Sequence, residues 1–350
     1  MRLHKSLRMV RRLGRSVAIA AAILLVVWVV VLAVSKEPAN AMKALLVGSI
    51  SRINRFGNWM EESITLTFAG LAVCLVFQAN QFSIGAEGQL YLGALAAGTV
   101  GLALSGLAKP IHTALAFCAA GAAGFIWGAI PGFLKAHYRA NEIVTTLMLN
   151  NIAIQIYNFI LIRYLKPPTA GYPVSRYLPA SALFPKIIPG TRVSLTLILS
   201  IAAVVVLYYM LYRSTFGYEI RMVGLNERYA HYIGVDVKRI IVLSMAASGV
   251  LAGLAGACLV QGVHRRLIIG ISPGYGFDGI LVSLLARNNP VAIPFAALFY
   301  GYLRTGADVM ESNSDVAREL VVIIQALTIL LVTARTLVPP FMRRERGKVQ

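Results

Sequence analysis

Charge is scarce in this chain. Only 13% of its 350 residues are Asp, Glu, Lys or Arg, and 14 acidic residues stand against 33 basic ones. Soluble domains carry about twice that charged fraction. With 58% apolar residues, this chain has too little polar surface for a water-soluble enzyme, and its hydrophobicity excludes disorder. Cysteine is sparse as well. Cys74, Cys118 and Cys258 are odd in number, sit in apolar runs and form no CxxC or Cys/His spacing, so they read as packing thiols. His4, His112, His137, His231 and His264 are scattered and make no metal set. No nucleophile triad, no paired catalytic carboxylates and no GxxxxGK[ST] loop can be found. The chain is therefore expected to need no cofactor and to catalyse no reaction of its own.

What the sequence has in abundance is long uncharged runs. A net charge of +19 and an isoelectric point of 10.2 would suit nucleic acid binding, but the mean hydropathy of +0.71 points elsewhere. A multi-pass protein of a lipid bilayer, with basic aqueous ends and no nucleic acid partner, fits both values. The run 17–34 follows Arg2, Lys5, Arg8, Arg11, Arg12 and Arg15 and lacks a small-x-small site before Ser35. It reads as an uncleaved first span with its basic start in the cytoplasm. The stretch 44–60, with Arg52, Arg55 and Trp59, suits a helix at the outer interface. Apolar runs follow at 63–86, 88–108, 110–134 and 143–162.

The region 163–192 breaks this pattern with six prolines and five Lys/Arg; it reads as an irregular external loop. Further runs lie at 193–212, 240–263, 289–303 and 319–334. The run 267–286 is interrupted by Pro273, Gly274, Gly276 and Asp278, which predicts a broken or re-entrant segment with Asp278 capping its helix. The fold class is thus an all-α polytopic membrane protein of about ten segments, with eight to ten allowed. Five segments on each side of the Pro-rich loop would place both termini inside and permit a 5+5 inverted repeat with broken helices. The divisions are a basic cytoplasmic N-terminus at 1–16, a transmembrane domain at 17–340 that contains a cytoplasmic loop at 213–239, and a basic cytoplasmic tail at 341–350. Gly121, Gly124, Gly128 and Gly132, and likewise Gly249, Gly253 and Gly256, fall near one helix face each, as close helix contact in lipid requires.

Two local features stand out. The stretch Asn80 to Gln89 places amides, glycines and the carboxylate of Glu87 between two apolar runs. Irregular backbone at membrane depth is tolerated only against protein or water. The loop Gly217 to Asp236 allows a short helix capped by Asn226, with Glu227 in its first turn and Gly234 at its end. Such a helix suits docking.

Four stretches resemble the permease subunits of ATP-binding-cassette importers for branched-chain amino acids, simple sugars and nucleosides. They are Ile84-Gly-Ala-Glu-Gly-Gln89; Asn141-Glu-Ile-Val-Thr-Thr-Leu-Met-Leu-Asn150; Gly217-Tyr-Glu-Ile-Arg-Met-Val-Gly224 with Ala230 and Gly234; and Gly274-Tyr-Gly-Phe-Asp-Gly-Ile-Leu-Val-Ser-Leu-Leu-Ala286 before Asn289-Pro290. Their forms are most similar to the nucleoside branch, and the segment before Ser63 resembles the longer of two paired permeases. The chain departs from the pattern at Ala286, where glycine is usual, and at Asp308, Glu311 and Asp315.

The resemblance implies a bacterial cytoplasmic-membrane subunit with three kinds of protein partner: a cytoplasmic ATPase, a second permease (identical or homologous) and an extracytoplasmic binding protein or lipoprotein. It implies coupling to the ATPase through Gly217, Arg221, Gly224, Asn226, Ala230, Tyr232 and Gly234. Along the solute pathway, the amides of Asn80, Gln89, Asn150 and Asn151 could hydrogen-bond a nucleoside, with Glu87 beside them, while Phe77 and Phe82 could stack on its base. The competing reading is that these amides bridge helices. A simple-sugar permease is the alternative within the class. An ion-coupled carrier would need ionisable residues inside several spans, whereas most runs here are uncharged.

Overall fold

A computed structural model describes residues 37–314 except 105 and 189, together with residues 28, 32, 316, 323 and 326. The basic ends and the runs at 17–34 and 319–334 lie essentially outside these residues. Among the described residues the secondary structure is helical, with isolated bridges in place of β-strands. Five of the described helices are long and apolar enough to cross a membrane: Ile53–Gln78, Lys109–Tyr138, Glu142–Leu165, Thr196–Arg213 and Val237–His264.

The described residues divide into two compact units. In the first, α1 (Pro38–Val47) opens with a proline at its start and continues into a 3-10 turn at Gly48–Ile50. Ala41 and Leu45 pack with Ala307 and Met310 of α11 (Ile293–Asn313). Tyr302 donates its hydroxyl hydrogen to the Leu46 carbonyl, and Ser49 donates to the Tyr302 carbonyl at 3.1 Å. The expected interfacial helix at 44–60 is therefore two pieces: α1 with its 3-10 turn, and the start of α2 (Ile53–Gln78).

The second unit, residues 57–301, is built around α3 (Ala86–Ala103), which packs against α4 (Lys109–Tyr138), α5 (Glu142–Ile160), α9 (Val237–Ala257) and α10 (Tyr275–Leu285). Helix α5 runs on through a π-helical turn to Leu165, and α9 through another to His264. The most extensive contact is between α4 and α9, and its chemistry is that of small residues. A Cβ on Gly124 would strike the Gly249 carbonyl, and one on Gly249 would strike the Gly124 carbonyl. Gly253 meets the Ala120 carbonyl and Gly256 the Leu90 carbonyl in the same way. Without a hydrophobic drive between helices in lipid, backbone proximity supplies the packing.

The Pro-rich region is irregular, as expected. Its backbone pairs with the segment that precedes α10: Ser175 N–H donates to the Leu267 carbonyl at 2.9 Å and Leu178 N–H to the Arg265 carbonyl at 2.9 Å. The partner segment is non-helical, with a turn at Gly270 (φ +64°), until Gly274 (φ +95°), where α10 begins. This is the predicted interruption of the 267–286 run. Tyr157 and Tyr91 donate their hydroxyls to the carbonyls of Ile268 (2.8 Å) and Ser272 (3.2 Å), so this buried, non-helical backbone stays satisfied. Helix α6 (Thr196–Arg213) then leads through α7 (Thr215–Leu225) and α8 (Glu227–Tyr232) into α9.

Candidate functional site

The four family-like stretches meet around the turn between α2 and α3. Helix α2 ends with Asn80 in the left-handed region (φ +54°). The Asn80 N–H donates to the Phe77 carbonyl at 3.0 Å and the Gln81 N–H to the Val76 carbonyl at 3.1 Å. This is a Schellman ending, and Asn is the residue after Gly best suited to it. Asn80 therefore has a backbone role, and its side chain is exposed. Phe77 and Phe82 stack on each other across the turn, with centroids 5.2 Å apart and planes 17° from parallel.

The second stretch clamps the first. Asn150 on α5 donates Nδ2 to the Ile84 carbonyl at 2.8 Å and accepts the Gly88 N–H on Oδ1 at 2.9 Å. One turn earlier, Thr146 Oγ1 accepts the Ile84 N–H at 3.2 Å. Residues four apart share a helix face, and that face holds the backbone of the first stretch. Asn151 points away from it: its side chain is exposed and donates to its own helix at the Leu147 carbonyl.

The fourth stretch meets the first through Glu87. This carboxylate is buried and accepts the Gly276 N–H at 2.6 Å, capping the start of α10 from another helix. Gly276 is needed because a Cβ there would press on the Glu87 and Ala86 backbone. Asp278 lies in the first turn of α10 and accepts the Tyr300 hydroxyl at 2.5 Å. Ala286 replaces the family's usual glycine at an ordinary backbone angle of φ −75°, so no glycine is required there.

Gln89 is different. It is buried near the Cα of Gly128 and Gly85, and its Oε1 has no hydrogen-bond partner among the described residues. A buried orphan acceptor costs free energy unless something occupies it.

The third stretch forms α7 and α8. Ser214 caps α7 by accepting the Gly217 N–H at 3.0 Å, and Gly217 lets α7 fold back against the Met210 carbonyl. The Arg221 guanidinium lies 5.2 Å from the Tyr212 ring centre, within cation–π range. Gly224 rests on the Gln78 carbonyl at the end of α2, where a Cβ would not fit. Asn226 caps α8 by accepting the Tyr229 N–H at 3.1 Å. Gly234 (φ +90°) ends it, with the Val235 N–H returning to the Ala230 carbonyl at 3.0 Å. Ala230 on α8 is fully buried, whereas Tyr232 at its end is 89% exposed.

Sequence reasoning missed Gln78, Gln81 and Thr146. Gln78 donates to the Asn288 carbonyl at 2.7 Å, and Gln81 approaches Glu227 of α8 at 3.5 Å. Only Thr146 carried a signal, its i, i+4 spacing to Asn150. A cleft of about 960 Å³ lies between α8 and the α4–α5 turn, where Lys135 pairs with Glu142 at 2.7 Å. The turn at 78–85 and α8 thus share one end of α3, while Gly101 at the other end meets Leu178 of the Pro-rich region.

Residues 55–333 match the family model described as the branched-chain amino acid transport system permease component. The chain is 37% identical over 300 residues to the guanosine ABC transporter permease NupP of Bacillus subtilis, covering 85% of this chain and 86% of that one. It is 33% identical to the glucose ABC transporter permease TsgB13 of Haloferax volcanii, over 91% of this chain and 86% of the relative. It is 27% identical to the nucleoside ABC transporter permease NupB of Lactococcus lactis, over 91% and 90%. These matches, and the way the four stretches dock on one another, lead to one assignment: the chain is a multi-pass membrane protein and belongs to the family of ABC transporter permeases that carries the branched-chain amino acid permease components.

Proposed function

We propose that this chain forms the translocation pathway of a bacterial importer for nucleosides. The observation that carries the reading is α8. It is a short helix capped at both ends that presents Tyr232 outward, and the preceding α7 rests through Gly224 on the end of α2. An element fixed so firmly to a membrane helix can pass a partner's motion to it. Gly217, Arg221 and Gly224 hold its base; Asn226, Ala230 and Gly234 hold its shape; Tyr232 meets a cytoplasmic ATPase. That partner carries the nucleotide chemistry, since this sequence has no GxxxxGK[ST] loop. A second permease completes the pathway, and an extracytoplasmic binding protein or lipoprotein delivers the solute to the side of the Pro-rich region.

In this arrangement ten segments form an inverted repeat, the basic ends at 1–16 and 341–350 flank a membrane domain at 17–340, and both termini lie in the cytoplasm with the 213–239 loop. Asn80, Glu87 and Asn150, with the Phe77–Phe82 pair, act as the frame that fixes the 78–89 turn. Gln89, whose Oε1 has no partner among the described residues, is the group we assign to solute. Nucleosides are favoured by the likeness to NupP and NupB; the likeness to TsgB13 supports simple sugars as the second reading.

The test is uptake of radiolabelled guanosine, uridine, ribose and glucose in cells lacking and regaining this chain. Restored nucleoside uptake supports the proposal. Restoration of sugar uptake alone selects the second reading, and restoration of neither overturns both.

A further inference from the structure

Three buried polar side chains far from the 78–89 turn converge on one short piece of the Pro-rich region. Gln261 lies in the π-helical stretch that continues α9 to His264, and only 1% of it is exposed. Its Nε2 donates to the Ala182 carbonyl at 2.8 Å and to the Thr113 carbonyl of α4 at 3.3 Å. Thr113 donates its hydroxyl to the Ser181 carbonyl at 2.9 Å, and Nδ1 of the fully buried His112 lies 2.9 Å from the Ser181 hydroxyl. Two helices thus grip residues 181 and 182. The grip is not the cheapest way to fill space. Gln261 Oε1 and His112 Nε2 are buried without a hydrogen-bond partner among the described residues, and apolar side chains would avoid that cost.

The same two helices reach α8. Helix α9 begins at Val237, just after Gly234 ends α8, and the last turn of α4 lines the cleft beside α8 with Lys135. Between these ends α4 and α9 touch backbone to backbone, Gly124 on Gly249 and Ala120 on Gly253. Such a contact has no side chains to re-pack, so the two helices move as one body. About 36 Å of helix, at 1.5 Å per residue, separates Val237 from Gln261. We infer that Gln261 is a positioning residue of the transport cycle: it makes the Pro-rich loop at 181–182 follow the α4–α9 pair, so that a displacement of α8 reaches the side where solute is delivered. Hydrogen bonds suit this task because they fix direction, and π-helical turns inside α-helices gather at functional sites. His112 and Thr113 complete the grip from α4. This inference rests on the proposed importer function.

The test compares wild type with Gln261→Leu and Thr113→Val in the whole transporter, with its ATPase. In cells, uptake of radiolabelled guanosine, uridine, ribose and glucose is divided by the amount of permease that co-purifies with the ATPase. Gln261→Leu removes two hydrogen bonds and should lower the maximal rate per assembled transporter about tenfold, with KM unchanged. Thr113→Val removes one and should lower it about threefold. In nanodiscs, hydrogen exchange followed by mass spectrometry should change over 174–184 and over 226–236 when wild type is trapped with ATP and vanadate. In Gln261→Leu the change at 226–236 should persist and that at 174–184 should vanish. A merely structural role would lower the amount assembled and leave the rate per transporter and both responses intact; that result overturns the inference, as does a wild-type loop that ignores nucleotide. Should the leucine variant fail to assemble, Thr113→Val decides by the same measures. Wild-type cells that import neither nucleoside nor sugar sink the functional proposal alone, because the exchange responses still report on the grip.

Discussion

Glu87 on α3 accepts the backbone N–H of Gly276 on α10 at 2.6 Å, so one helix is capped by the side chain of another. The bond joins two stretches that lie far apart in the chain. Losing a cap costs about 1 kcal/mol, and stranding a buried N–H adds roughly 1–3 kcal/mol. Glu87→Ala should therefore lower the melting temperature of the purified transporter by several degrees. Glu87→Gln, which keeps an oxygen acceptor, should lower it by less than half as much. Equal losses in the two variants would show that the carboxylate's charge, rather than its hydrogen bond, holds α10.

Asn150 uses both ends of its amide, one on Ile84 and one on Gly88. Asn150→Ala should cost about 2 kcal/mol, at roughly 1 kcal/mol for each bond. Asn150→Asp keeps the acceptor but sets a carboxylate against the Ile84 carbonyl, and should be the less stable of the two. Denaturation of the detergent-solubilised complex ranks them; Asp matching wild type would contradict the donor role.

Gly224 touches the Gln78 carbonyl so closely that a methyl group has no place. Gly224→Leu should leave the subunits assembled but remove stimulation of the ATPase by transported solute, and Gly224→Ala should act in the same direction. Co-purification together with phosphate release measures both. Full stimulation in the leucine variant would dissociate α7 from coupling.

The α4–α9 seam separates two classes of glycine. At Gly249 a Cβ would meet the backbone carbonyl of Gly124, whereas at Gly121 it would meet side-chain atoms of Val250 and Leu254 at 3.3 Å or more. Gly249→Ala should destabilise by about 1–3 kcal/mol. Gly121→Ala should stay near wild type in folded yield by size-exclusion chromatography.

Gln89 offers a sharper separation of stability from transport. Its orphan Oε1 burdens the fold, so Gln89→Leu should raise stability by about 1 kcal/mol while nucleoside uptake falls at least several-fold. Unchanged uptake in a stable variant would remove Gln89 from the pathway.

What was readable from sequence was what is local. Asn226, Glu227 and Gly234 define α8 by residue type and spacing, and the structure builds that helix with those caps. The interruption before α10 was visible in Pro273 and Gly274 for the same reason. The polar residues of the first stretch were legible as a cluster but not in their duties. Whether Asn80 offers its side chain or its backbone conformation depends on where α2 ends, and Asn suits both. Glu87 finds its partner 189 residues away, a distance over which no spacing rule operates. The split of 44–60 into two helices turns on a 3-10 turn at Gly48–Ile50, and apolar content says nothing of it.

Helix α3 is enclosed by α4, α5, α9 and α10 and carries Glu87 and Gln89 in its first turn. This bears on how the chain is made. Two of the four helices that shelter α3 are synthesised long after it, and the Gly276 N–H that its buried carboxylate accepts arrives only with them. The centre of the subunit must therefore be held, by the insertion machinery or by α2 and α4, until the second half of the chain arrives to close around it.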